Sequence, residues 1–188
     1  MEKIIIGIVG TLASGKEEAK KYLAEKHGAE SCRYSTILRD VLSRLALPIS
    51  RENLQNISTV LRANFGEDLL AKAIAADAER FQAKIVIVEG IRRFSDIVHL
   101  KDLPNFFLLA IDADPHIRYE RIVRRNENAG DKAKTFEEFL KDQENEADRQ
   151  IPEVMRAAKY FIENDGSMEN LHKKIDEILE KIRQLPLP

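Results

Sequence analysis

The stretch Ile4-Ile5-Ile6-Gly7-Ile8-Val9-Gly10-Thr11-Leu12-Ala13-Ser14-Gly15-Lys16 decides the fold. Its first part, from Lys3 to Val9, is a continuous apolar run of the kind that fills a strand buried on both faces of a parallel sheet. Its second part is G-x-x-x-x-G-K, after which Glu17 leads into a helical stripe through Ala19, Tyr22 and Leu23. Strand, glycine loop and helix in that order are the context in which such a loop binds phosphate. Glycines let successive backbone N–H groups turn inward, the helix N-terminus adds its dipole, and the lysine reaches the outer phosphates. Gly10, Thr11, Leu12, Ala13, Ser14, Gly15, Lys16 and Glu17 therefore form the candidate cradle for a nucleoside triphosphate. Position 17 departs from the pattern. Loops of this kind place Ser or Thr there for Mg²⁺, whereas Glu17 and the following Glu18 carry no hydroxyl.

Outward from the loop, three similar runs follow at Lys84–Glu89, Asn105–Ile111 and Lys159–Glu163, with a weaker strand candidate at Ala29–Tyr34. Helical patterns separate them, which is the βαβ rhythm of an open parallel sheet. Ile37, Leu38, Val41, Leu42 and Leu45 form one helical stripe that Pro48 is expected to stop; Leu69, Leu70, Ala73 and Ile74 form another. The last helix carries Leu171, Ile175, Ile178, Leu179 and Ile182, with Ser167 as its expected N-cap. From Ser35 to Phe81 the pattern is helix on helix, far longer than the roughly 2–6 residues of an ordinary βα connection. That marks an insert of subdomain size. A second, polar insert spans Arg124 to Asp148 and is expected to be mobile.

The chain has 188 residues with 44% hydrophobic content, enough for a single α/β domain over residues 1–188 with a core that needs no disulfide or metal. Lys and Arg number 30 against 32 Asp and Glu, so the net charge of −2 supplies no global field to hold nucleic acid or an anionic membrane. Cys32 is the sole cysteine, and no apolar run approaches the ~20 residues that cross a bilayer. A cytoplasmic protein, monomeric or homodimeric and acting on small molecules, is expected.

At this point the sequence resembles the P-loop nucleotide kinases, the superfamily of adenylate kinase, the deoxynucleotide kinases and dephospho-CoA kinase, over nearly the whole chain. Tyr34-Ser35-Thr36-Ile37-Leu38-Arg39 is similar to the family's S-T-G-D-x-L-R segment, whose arginine grips the acceptor phosphate. Glu89-Gly90-Ile91-Arg92-Arg93 is similar to D-G-[FY]-P-R, in which the acid holds Mg²⁺ through water and the arginine takes phosphate. Arg118 to Arg125 is similar to the arginine-bearing helix that leads into the family's lid, with Arg121 and Arg125 in its R-x-x-x-R spacing. Ile162-Glu163-Asn164-Asp165-Gly166-Ser167 resembles a motif near the end of dephospho-CoA kinase and its nearer relatives.

The resemblance implies a three-layer P-loop kinase fold: a five-stranded parallel sheet, a helical acceptor-binding insert near residues 35–80, and a short lid near 125–148. It implies an ATP- and Mg²⁺-dependent kinase acting on a nucleoside monophosphate or a similar small phosphorylated nucleotide. Lys16, Arg92, Arg121 and Arg125 are the candidate catalytic residues; Ser35, Arg39, Arg62, Arg92 and Arg93 are the candidate acceptor contacts, and Glu89 the metal ligand. Dephospho-CoA kinase is the first alternative, a catalytically weak nucleotide-binding regulator the second, and a P-loop ATPase the third. His27, His99, His116 and His172 lack metal or catalytic spacing and are expected at the surface or in caps. Cys32 is expected to be a small buried hydrophobe, and the acidic run Glu137–Asp148 a solvated helix face.

Overall fold

In the computed structural model, which describes residues 3–125, 132, 134–143 and 149–185, five apolar runs join in one sheet. The strands are β1 (Ile4–Val9), β2 (Glu30–Arg33), β3 (Ile85–Glu89), β4 (Phe106–Asp112) and β5 (Tyr160–Glu163), all parallel, in the order β2-β3-β1-β4-β5. Alternation along each strand sends side chains to two cores. Ile4, Ile6, Ile8, Ile85, Ile87, Phe107, Leu109, Ile111 and Ile162 face one way. Ile5, Val9, Val86, Val88, Leu108 and Ala110 face the other. The first core is closed by α1 (Lys16–His27) and α9 (Met168–Arg183), through Ala19, Leu23, Leu171, Ile175 and Ile182.

The second core is closed mainly by helices of the long insert, α2 (Tyr34–Arg44) and α4 (Leu69–Arg80), with α3 (Arg51–Phe65) lying between them in the chain. Helix α4 buries Leu70, Ala71, Ile74, Ala75 and Ala78, whereas no residue of α3 is fully buried. Helix α2 ends earlier than expected. Ala46 takes a left-handed conformation (φ 55°), which stops the helix at Arg44 ahead of Pro48 and leaves Leu45 exposed. The short α5 (Phe94–Ile97) follows β3, α6 (Pro115–Arg125) follows β4, and α7 (Phe136–Asp142) and α8 (Ile151–Arg156) precede β5. Of the expected lid, residues 126–131, 133 and 144–148 lie outside the described residues; its helix α7 packs on α6 through Tyr119 and the fully buried Phe139. Among the described residues no helix is long and apolar enough to cross a membrane.

The chain leaves β1 toward β2 on one side and leaves β4 toward β5 on the other. The carboxyl ends of these neighbours are therefore the topological switch point, where open α/β sheets take ligands. The α1–α9 pairing supports one wall of that end. Tyr22 stacks on His172 at 3.8 Å, and His172 meets Glu18 at 3.1 Å. Asp176 accepts from Tyr22 at 2.7 Å and Lys26 at 2.8 Å and pairs with His27 at 2.9 Å. Ser167 caps α9 by accepting from Asn170 N–H.

Partial burial pushes the Asp176 carboxyl up, but its bonds to Lys26, Tyr22 and His27 outweigh that and bring it from 3.8 to about 2. Because the folded value is depressed, the stabilisation is present above pH ~4 and is lost as pH falls toward ~2. Asp176→Asn is expected to lower stability at pH 7 by about 1 kcal/mol after solvent screening, and to match the wild type near pH 2. Thermal melts across that pH range check both.

Candidate active site

The loop between β1 and α1 is held by donors on its carbonyl side. Lys16 Nζ donates to Thr11 O at 2.6 Å, Arg118 to Leu12 O at 3.4 Å, Arg121 to Ala13 O at 3.4 Å, and Asn164 Nδ2 to Ser14 O at 2.9 Å. Four successive carbonyl oxygens are thus engaged. What this leaves for a ligand is the first turn of α1, whose amides lack acceptors within the helix. Two glycines make the geometry possible. A Cβ at Gly10 would lie 2.0 Å from Ile111 O, and Gly15 adopts φ 105° with a would-be Cβ 2.2 Å from Asn164 Nδ2. Ser14 Oγ is fully buried beneath the loop and has no hydrogen-bond partner among the described residues. The Thr11 hydroxyl donates to Asp112 at the end of β4, fastening the loop to the switch point. A glycine turn that ends in a helix N-terminus and carries a lysine fits the phosphates of a nucleotide.

Helix α6 supplies the arginines on this wall. Arg118 is buried; its Nε donates to Ala113 O at 2.9 Å, its Nη1 to Gln143 Oε1 at 2.6 Å, and its guanidinium lies over Phe139 at 5.5 Å. Burial lowers its pKa below the ordinary arginine value, partly offset by Asp112 and Asp114. Arg121 also donates to Asn164 O at 2.7 Å. Arg125 stands exposed at the helix end.

The loop after β3 is organised by Asp96, an acid the sequence did not single out. Asp96 is buried, accepts the backbone N–H of Arg92 at 2.9 Å and of Arg93 at 3.0 Å, and pairs with Arg62 at 2.9 Å; the Tyr34 hydroxyl donates to its carbonyl. Arg62, expected to meet the acceptor, is therefore committed to Asp96 and shapes the loop after β3 instead. A buried acid of this kind requires such a partner. Arg92 and Arg39 are exposed, Ser35 is half-buried at the start of α2, and Arg93 reaches Glu67 at 3.7 Å.

At the carboxyl end of β3, Glu89 lies in register with Arg33 of β2 and accepts from it at 2.6 Å. Lys20 of α1 approaches the same carboxylate at 3.3 Å and also pairs with Glu17; Arg33 lies 3.8 Å from Glu17. Burial pushes the Glu89 carboxyl up, yet the Arg33 bond and the Arg33 and Lys20 charges hold it below the ordinary value. Both carboxylates that a metal would need are thus already neutralised by fixed cations. Among the described residues no group of three His, Cys, Asp or Glu side chains is placed to hold an ion. The residues do not fit a protein-held Mg²⁺.

Asn164, Asp112 and Arg118 stand within motifs legible in the sequence, though without an assigned role there, whereas Lys20, Arg33 and Asp96 stand outside any motif. Spacing carried a signal only for the first three, because the others act through contacts between distant segments. His27, His99 and His172 each meet a carboxylate, and His116 stacks on Phe136 at 4.2 Å. A cavity of about 350 Å³ opens elsewhere, beside β2, lined by Cys32, Arg33, Thr36, Asp77, Arg80 and Phe81. The Cys32 thiol there is pushed up to about 12, by burial first and then by Asp77 and Glu89, which excludes a thiolate nucleophile.

A family model described as an AAA domain matches residues 6–152. A UPF0200 protein of Pyrococcus abyssi is 32% identical over 184 residues, spanning 95% of this chain and 97% of that one. Another, of Sulfurisphaera tokodaii, is 30% identical over 178 residues, spanning 95% and 97%. Among solved structures, shikimate kinase from Bacteroides thetaiotaomicron superposes with a TM-score of 0.61 at 14% identity, covering 96% of this chain and 98% of that one. Shikimate kinase from Acinetobacter baumannii, in complex with shikimate, gives 0.57 at 18%, covering 97% and 96%. At those identities the likeness shows a shared fold, an α/β P-loop kinase fold.

Asn164→Ala is expected to cost about 1–3 kcal/mol, because it strips a buried carbonyl of its donor, and to weaken nucleotide binding with it. Asn164→Asp, which aims an acceptor at Ser14 O, is expected to be at least as damaging. Melting curves and a nucleotide titration on the folded variants check both.

Proposed function

We propose that this chain, which belongs to the AAA domain family and to the family of UPF0200 proteins, is a phosphotransferase that moves the γ-phosphoryl of ATP to a nucleoside monophosphate or a similar small phosphorylated nucleotide. The observation that carries the proposal is the glycine loop at the switch point, with four successive carbonyls engaged by Lys16, Arg118, Arg121 and Asn164. Phosphoryl transfer asks a protein chiefly for positioning and for neutralisation of charge on the migrating group. In this scheme Lys16 exchanges Thr11 O for the outer phosphates of the donor. Arg39 and Arg92 orient the acceptor phosphate, while Arg121 and Arg125 meet the charge that spreads in the transition state. Mg²⁺ arrives as the counter-ion of ATP. The substrates are small molecules, with no part for nucleic acid or a membrane surface.

A second scheme, a nucleotide-binding regulator with weak catalysis, is favoured by the neutralised Glu17 and Glu89 pair. ADP release measured with a panel of nucleoside monophosphates and dephospho-CoA, each against an acceptor-free blank, separates the two. The kinase predicts turnover that depends on one acceptor; nucleotide binding without any turnover would favour the regulator, and acceptor-independent turnover an ATPase. Lys16→Ala is expected to weaken ATP binding or turnover about 10- to 100-fold, the loss of a charge-assisted bond of roughly 1.5–3 kcal/mol, with the melting temperature nearly unchanged. Unaltered affinity and turnover in that variant would remove the loop from the active site.

A further inference from the structure

Four charged side chains close a ring at the carboxyl end of β3, and each cation touches both acids. Lys20 Nζ meets Glu17 Oε1 and, at 3.3 Å, Glu89 Oε2; Arg33 Nη2 meets Glu89 Oε2 at 2.6 Å and Glu17 Oε2 at 3.8 Å. Two separate features of the sequence build it. Helix spacing places Glu17 and Lys20 one turn apart on the same face of α1, and the parallel register sets Arg33 opposite Glu89 across β2 and β3. Glu89 is only 13% exposed and Lys20 22%, whereas Glu17 is 72% exposed. The strong end of the ring is therefore Glu89, shielded from water and held by two cations. The weak end is Glu17, whose exposed pair contributes little by itself.

We propose that Lys20 is a resident cation that holds the place of a divalent metal between Glu17 and Glu89, so that Lys20 and a divalent ion compete for the same two carboxylates. Two acids and two cations sum to zero charge, and a divalent ion entering the ring meets no net attraction. It must also give up water and displace an ammonium already seated on Glu89, a step that small hard cations resist. Removal of Lys20 alone leaves the ring with one net negative charge and two carboxylates joined only through Arg33. The substitution is expected to create the metal site that the native sequence closes. A nucleotide bound at the neighbouring loop then meets Lys20 and Arg33 as counter-charges where other loops of this type offer a hydroxyl and a metal. That last consequence rests on the function proposed above; the competition itself does not.

The test uses the full chain without nucleotide and Mn²⁺ alone as the probe, with free and bound ion resolved by electron paramagnetic resonance at pH 7 and low salt. The wild type is expected to show no saturable Mn²⁺ binding below about 1 mM, the range of weak oxygen-donor sites. Lys20→Met is expected to bind one Mn²⁺ at least about tenfold more tightly, equivalent to about 1.4 kcal/mol. Lys20→Met/Glu89→Gln should lose that site, and Lys20→Arg, which keeps the cation, should behave as the wild type. Circular dichroism confirms that each variant is folded, and Lys20→Gln substitutes for Lys20→Met should the latter not fold. The proposal is overturned if the wild type binds Mn²⁺ as tightly as the Lys20 variants do, or if their site survives the loss of Glu89. Because no nucleotide is present, failure here is distinct from failure of the proposed kinase activity.

Discussion

A side chain at residue 10 would put its Cβ 2.0 Å from the carbonyl oxygen of Ile111 and 2.8 Å from Ser14 Oγ. β1 must therefore be followed by glycine if its end is to lie against β4 at the switch point. The rest of the site depends on that contact. With the strands this close, the Thr11 hydroxyl reaches Asp112, and the Asp112 carbonyl in turn accepts Asn164 N–H at 2.7 Å from the end of β5. Asn164 then has one position available, beneath Ser14 and against Gly15. The loop is shaped by three strand ends rather than by its own glycines alone.

Charge is distributed on the same plan. A chain with net charge −2 brings several arginines to one end of its sheet, yet some of them serve the scaffold. Arg118 is buried and bonded to carbonyl and amide oxygens, Arg62 neutralises Asp96, and Arg33 neutralises Glu89. An uncompensated buried charge is costly, so each of these cations is paired or hydrogen-bonded. Arg39 and Arg92 stand exposed, on α2 and on the loop that Asp96 fixes.

Local pattern was enough to read the strands, the glycine loop and the helical insert, because periodicity and loop chemistry are properties of neighbouring residues. Strand ends shifted by a residue or so: Asn105–Ile111 in the sequence became Phe106–Asp112, which brought Asp112 into the sheet and beside Thr11. The lower legibility of the site has a specific cause. Arg62 sits on a helical stripe that gives no sign of Asp96, 34 residues away. Lys20 reads as an ordinary surface lysine of an amphipathic helix until β3 sets Glu89 against it, 69 residues on. Glu17 looked like an isolated departure from the motif. In the fold it is one member of a four-residue ring, so the departure at position 17 goes together with the cations at 20 and 33.

The central claim is that nucleotide phosphate binds the loop at the β1–β4 switch point rather than the cavity beside β2. Amide hydrogen exchange, with and without a non-hydrolysable ATP analogue, tests it most directly, since bound N–H groups slow their exchange while distant ones do not. The account predicts protection concentrated in residues 11–18, with a smaller effect at the ends of β4 and β5. Protection centred on Ser31 to Thr36 and Asp77 to Phe81, with the glycine loop unchanged, would contradict it.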